Sequence, residues 1–148
     1  MGCDIHAFLE IKMCKDWKRE GDWEPPKWYL FSELDICRNY TLFGKMAGVR
    51  NDEVEPIAEP RGLPDDLSDV VAPLAENSYE WCHSHSWLSE KELQDVVVWF
   101  HEYLTEFRKK RENMRYSVYD NFGYRLGVDD FPDCMGVMEV RLVFWFDN

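Results

Sequence analysis

From Cys3 to Ile11 the chain alternates, with Ile5, Ala7, Leu9 and Ile11 on one side and Asp4, His6, Phe8 and Glu10 on the other. That period of two predicts a strand over about 2–13 with one face toward a core. Lys18-Arg19-Glu20-Gly21-Asp22 supplies a polar turn, and a hairpin partner is expected over about 23–30. Pro25 and Pro26 cannot donate to a ladder, so that partner should be short, bulged or at an edge. Ser32 with Asp35 three positions on resembles a helix N-cap, and Ile36, Tyr40, Phe43 and Ala47 follow at helical spacing until Gly48 stops the helix. Residues 49–64 hold three prolines and a glycine without a period and read as a long ordered loop. A short helix is expected over about 65–76, opened by Asp65, Asp66 or Ser68 and limited by Pro73.

The clearest helix starts at Ser89, with Glu92 completing a capping box, and carries Leu93, Val96, Val97, Phe100, Leu104 and Phe107 on one face. It should end near Arg111, where Lys109, Lys110 and Arg111 suit the negative end of the helix dipole better than they suit nucleic acid. After an aromatic stretch from Tyr116 to Phe131, Met138 to Phe146 is almost continuously apolar. It predicts a strand buried on both faces, in mid-sheet beside the first strand, with the helices covering one side. The pattern as a whole predicts an α+β fold in a single domain, 1–148: a small antiparallel sheet, its N- and C-terminal strands central, packed with about three helices.

Composition narrows the function. With 17 Lys and Arg against 29 Asp and Glu, the net charge of −12 repels long polyanions and argues against DNA or RNA as a partner. A small anion remains compatible, because a few arginines in a pocket override the distant field at close range. The same charge would steer the chain toward a basic host protein, as a nucleic-acid mimic does. Five cysteines, an odd number with no CxxC, read as reduced thiols of a cytosolic protein. No stretch approaches the ~20 apolar residues of a membrane span and the N-terminus lacks a signal-peptide pattern, so neither a membrane nor secretion is expected. A homo-oligomer is compatible with all of this.

Candidate chemistry concentrates in Asp4-Ile5-His6 and His83-Ser84-His85-Ser86-Trp87, which hold three of the four histidines. In extended chain the period of two sets Asp4 beside His6 and puts His83 and His85 on a common face. Asp4, His6, His83 and His85, with Cys82 as an added thiolate, supply ligands suited to a divalent metal such as zinc, manganese or iron. Without metal, His6 and either His83 or His85 could serve as general acid and base on a phosphodiester, Asp4 fixing one tautomer. The two-histidine phosphoesterases carry His-x-Ser or His-x-Thr twice, which neither His6-Ala7-Phe8 nor His85-Ser86-Trp87 matches. A purely structural account makes the histidines polar ties between strand and loop, partnered by Ser84, Ser86 and Trp87, with His101 an ordinary helix-flank residue. For anion recognition the candidates are Arg38 with Asn39 and Tyr40, Arg50, and Arg61, since a guanidinium grips phosphate through paired hydrogen bonds. Each could instead pair with an acid of the chain. A nucleobase could stack on Trp87, Tyr40, Phe122 or Tyr124.

Met1-Gly-Cys-Asp-Ile-His6, Arg38-Asn-Tyr-x-Leu-Phe, Met46-Ala-Gly-Val-Arg50, Pro60-Arg-Gly-Leu-Pro64 with Ser68, and His83-Ser-His-Ser-Trp87 together resemble a family of small phage and prophage proteins. The resemblance spans most of the chain and implies a viral protein acting in the host bacterial cytosol. It brings no activity, fold or ligand with it. Phage proteins of this size include several that cleave or sequester nucleotide signals of host immunity, such as cyclic dinucleotides and ADP-ribose derivatives. By analogy, the expected function is binding and phosphodiesterase-type hydrolysis of a small phosphate-bearing nucleotide as counter-defence. A sponge that sequesters without cleavage is the alternative, and an acidic inhibitor of a host protein the third.

Overall fold

The computed structural model describes residues 2–13, 25–110 and 137–148. Its elements are β1 (Asp4–Met13), β2 (Lys27–Leu34), α1 (Tyr40–Ala47), α2 (Val71–Ser78), β3 (Cys82–Ser89), α3 (Glu90–Lys110) and β4 (Val137–Asp147). The strands form one antiparallel sheet in the order β2-β1-β4-β3. The N- and C-terminal strands are therefore its centre, as their apolar patterns predict, and β2 is an edge strand with a register shift opposite Leu9 and Glu10. The Lys18–Asp22 turn and the Tyr116–Phe131 stretch lie outside the described residues.

Both faces of the sheet are covered. On one, Ile5, Ala7, Leu9 and Ile11 of β1 join Leu142, Phe144 and Phe146 of β4 beneath α1 (Leu42, Phe43, Met46) and α3 (Leu93, Val96, Phe100, Leu104). On the other, Phe8, Val143 and Trp145 pack under Val71 and Ala75 of α2. The expectation that helices cover one side is thus corrected: α2 seals the second face, which Phe8, Val143 and Trp145 make too apolar to leave wet.

Element boundaries move where side-chain chemistry outweighs spacing. Ser32 caps no helix. Ser32, Glu33 and Leu34 belong to β2, which runs over 27–34 and so continues past the expected end at 30; Pro25 and Pro26 lie just before it, and residues 23 and 24 lie outside the described residues. The cap of α1 is Asn39, whose side-chain oxygen accepts the Leu42 N–H at 2.9 Å. Gly48 ends that helix at φ 67°, the left-handed turn that suits glycine. The second helix starts later than 65, because Ser68 accepts the Val71 N–H at 3.2 Å and Pro73 falls in the first turn, where its missing N–H has no intrahelical role. The Ser89 and Glu92 capping box forms in both directions, at 3.0 and 3.3 Å.

One charged pair lies inside this frame. Glu10 is 0% exposed and Arg141 5%, on neighbouring central strands. Arg141 Nε donates to Glu10 Oε1 at 2.9 Å, and its Nη1 donates to Asp66 Oδ1 at 2.8 Å. Glu10 Oε2 accepts the Ser68 N–H at 2.8 Å, and the guanidinium lies 3.8 Å over the Trp28 ring. The Arg141 bond holds the Asp66 carboxyl below the usual carboxylate range. Removing one partner strands the other in a dry site, so Arg141→Ala should destabilise by about 3–5 kcal/mol in urea unfolding. The Glu10→Leu, Arg141→Leu double variant should lose less than the sum of the two single losses.

Candidate functional site

Strand register decides which of the chemistry-bearing residues meet. Across the end of the sheet, Asp4, Asp147 and Cys82 form one row and Ile5, Phe146 and His83 the next. His6 pairs with Trp145. The two histidine segments therefore flank β4 on either side, two strand spacings or roughly 9.5 Å apart at the backbone.

They do not present four ligands to one point. Between His83 and Ser86 the register shifts, so that Ser84 and His85 together oppose Trp145, and Ser84 takes φ 54°. This bulge breaks the period of two. His83 stacks toward Phe146 (centroids 6.1 Å), on the face of α1 and α3, whereas His85 stacks on Trp145 (5.7 Å), on the face of α2. The common face expected for His83 and His85 is thereby corrected. Among the described residues no three of His, Cys, Asp and Glu gather as metal ligands, so the set of Asp4, His6, His83 and His85 is not assembled.

What does assemble is a polar cluster at the start of β1. His6 Nε2 and Asp147 Oδ2 are 2.8 Å apart, both side chains about two-fifths exposed (41% and 37%). Asp147 Oδ1 also accepts the Asp4 N–H at 3.2 Å, which fixes the carboxylate at the strand end. The Asp4 carboxylate takes a two-pronged bond from Arg38, Nε at 2.9 Å and Nη2 at 2.6 Å, and that bond lowers its pKa. The Arg38 guanidinium packs against Gly2, in space that a side chain there would fill. Tyr40 Oη accepts the Cys3 N–H at 3.2 Å, and Arg50 donates to the Asn148 side-chain oxygen at 2.7 Å. Burial raises the Cys3 thiol pKa, which leaves it a poor nucleophile. Of the predicted residues, Asp4, His6, Arg38, Asn39, Tyr40 and Arg50 thus share this end of the sheet. Asp147 and Asn148 complete it, and sequence reasoning missed both. The signal was available: a strand predicted beside the first, ending in two polar residues, puts Asp147 near Asp4.

Arg61 and Trp87 form a separate cluster. The Arg61 guanidinium lies 4.2 Å over the Trp87 ring and donates to Glu92 Oε1 at 2.6 Å, tying the long loop to the first turn of α3. Its structural partners account for it, and one Trp87 face is already taken. His101 is an exposed helix residue, and its carbonyl accepts the Thr105 hydroxyl at 2.8 Å. Phe122 and Tyr124 lie outside the described residues.

His85 is buried (9% exposed) and held by α2. Ser78 Oγ donates to the Ala75 carbonyl at 2.7 Å, so at 2.7 Å from His85 Nε2 it accepts, which assigns the proton to Nε2. Tyr79 also stacks on the ring, with centroids 4.2 Å apart. Ser78, not Ser84 or Ser86, is thus the hydroxyl partner of His85. Ser84 Oγ lies 3.0 Å from His83 Nδ1.

In comparisons with known proteins, the chain matches no family model, no curated protein and no solved structure.

Burial pushes the His85 pKa below its ordinary 6.5, and the nearby His83 adds to the effect. The unfolded chain therefore binds this proton more readily than the folded one. His85's contribution to stability is complete above pH 6.5 and is lost as pH falls through the lowered folded value. Urea midpoints at pH 7.5 and 5.0 should show wild type losing more stability on acidification than His85→Gln; equal losses would count against a neutral, buried imidazole.

Proposed function

We propose that the end of the sheet bearing His6, Asp147, Arg38 and Arg50 binds a small phosphate-bearing nucleotide and hydrolyses it. Such a ligand, a cyclic dinucleotide or an ADP-ribose-type immune signal in the host cytosol, agrees with the resemblance to phage proteins. The observation that carries the reading is the 2.8 Å contact between the half-exposed His6 imidazole and the Asp147 carboxylate. Asp147 accepting from Nε2–H leaves Nδ1 as a base. That nitrogen takes a proton from water as the water oxygen attacks phosphorus. The P–O bond to the leaving oxygen then breaks, and the imidazolium returns the proton to that oxygen. Arg38 uses Nε and Nη2 on Asp4, so its Nη1 edge can take a phosphate oxygen, with Arg50 as a second cation.

The sponge reading has its own support. With His83 across the sheet and His85 bonded to Ser78, His6 has no second histidine beside it to act as the opposite proton carrier. Incubation with a panel of cyclic dinucleotides and ADP-ribose derivatives, with and without chelator, followed by heat denaturation and chromatography of the released small molecules, separates the two. Altered product is expected, with turnover reduced about 10²- to 10⁴-fold in His6→Ala, as for loss of a general acid–base group. Asp147→Asn should lower turnover too. Intact ligand released on denaturation would establish the sponge, and no effect on any compound would overturn both readings.

A further inference from the structure

Apart from that site, α2 and the turn after it carry an apolar stripe pointing away from the sheet. Val71, Ala75 and Ser78 face inward and are buried. On the outer side Val70 and Leu74 lie one helical turn apart, at 55% and 44% exposure, and Trp81, in the turn that follows the helix, is 77% exposed. Tyr79 adds a further exposed ring. Trp81 is held in place: its indole N–H donates to the Asn77 carbonyl at 2.8 Å, and its backbone N–H bonds the Ser78 carbonyl at 3.2 Å. A large, preorganised, exposed indole loses little side-chain entropy on contact, which is the property of an interface anchor.

The charge within this segment is of one sign. Residues 65–81 contain Asp65, Asp66, Asp69, Glu76 and Glu80, all exposed, and no Lys, Arg or His. Arg141 answers Asp66 from the sheet. Asp69 directly precedes Val70, Glu80 directly precedes Trp81, and Glu76 lies between Leu74 and Trp81 in sequence, so each exposed apolar residue has an acid within two positions.

We infer that this face docks a basic polypeptide segment of another protein, one that offers apolar side chains to Leu74 and Trp81 and guanidinium or ammonium groups to Glu76, Glu80 and the Trp81 ring. Arginine suits it best, because one side chain can pair with a carboxylate and lie over an indole. Charge discriminates among occupants. A second copy of this chain would set acids against acids, and nucleic acid or anionic lipid would be repelled.

The test is fluorescence anisotropy of a labelled synthetic peptide of alternating arginine and leucine, titrated with the full chain at low and at physiological salt. A peptide with glutamate replacing arginine is the control. The expected result is salt-sensitive binding of the arginine peptide alone, unchanged in His6→Ala. Binding should weaken about tenfold or more in Trp81→Ala, the typical scale of an aromatic anchor. The Glu76→Lys, Glu80→Lys double variant should bind at least as poorly, and both substitutions fall on exposed positions, so the fold survives them. Equal binding by Trp81→Ala would reduce the effect to diffuse net charge and overturn the inference. Absence of arginine-peptide binding, binding of the glutamate peptide, or Trp81-dependent self-association in sedimentation would overturn it as well.

Discussion

The arrangement of the second face depends on the buried Glu10 and Arg141 pair. Two opposite charges on adjacent central strands are held out of water, and each remaining polar atom finds its partner in a loop rather than in the sheet. Glu10 fixes the Ser68 backbone, Ser68 caps the first turn of α2, and α2 in turn delivers Ser78 to His85. A chain of three contacts, joined through α2, therefore connects a core ion pair to a histidine on an edge strand. Hydrophobic residues in place of the pair could match its stability, but they would give the 65–68 loop no fixed address. Specifying where that loop lands is the use of the pair that this geometry supports.

Much of the fold was legible because long periodic segments speak plainly. The alternation of Ile5, Ala7, Leu9 and Ile11 and the apolar run of β4 place both strands at the sheet centre, where the structure has them. The Ser89 capping box likewise marks the start of α3. Ser32 was misleading because a cap motif is a local statement, while pairing of Phe8 with Glu33 and of Leu9 with Ser32 is a tertiary one, and tertiary pairing wins. Charged residues inside apolar strands, Glu10 and Arg141, were visible as exceptions, yet only the register shows that they meet.

The candidate site divides along the same line. Asp4 beside His6 follows from uninterrupted alternation and holds. His83 beside His85 follows from the same rule and fails, because one residue in the left-handed region, Ser84, inserts an extra position and reverses the side-chain direction beyond it. Nothing in His-Ser-His-Ser announces that turn; glycine or asparagine would have been the expected sign. The consequence is chemical. One of the three histidines in these segments is sent to the face of α1 and α3, one is buried beside Ser78 of α2, and only the third, His6, keeps a partly exposed imidazole, with a carboxylate partner that lies 141 residues away in sequence.

If both proposals hold, electrostatics separates the two faces by the partner each would take. A chain of net charge −12 repels anions at long range, so the proposed anionic ligand would have to be held at close range by cations fixed in place, as Arg38 is by Asp4. Such a cation does little to attract from a distance, but its unspent N–H edge still recognises phosphate geometry at contact. The α2 face works the other way: its acids lie within a stretch that holds no cation, so it adds to the long-range negative field, which in the proposed reading would steer a basic segment toward Trp81. Contact-range recognition at the strand end and long-range steering at the helix can therefore operate in one small domain without competing for the same ligand.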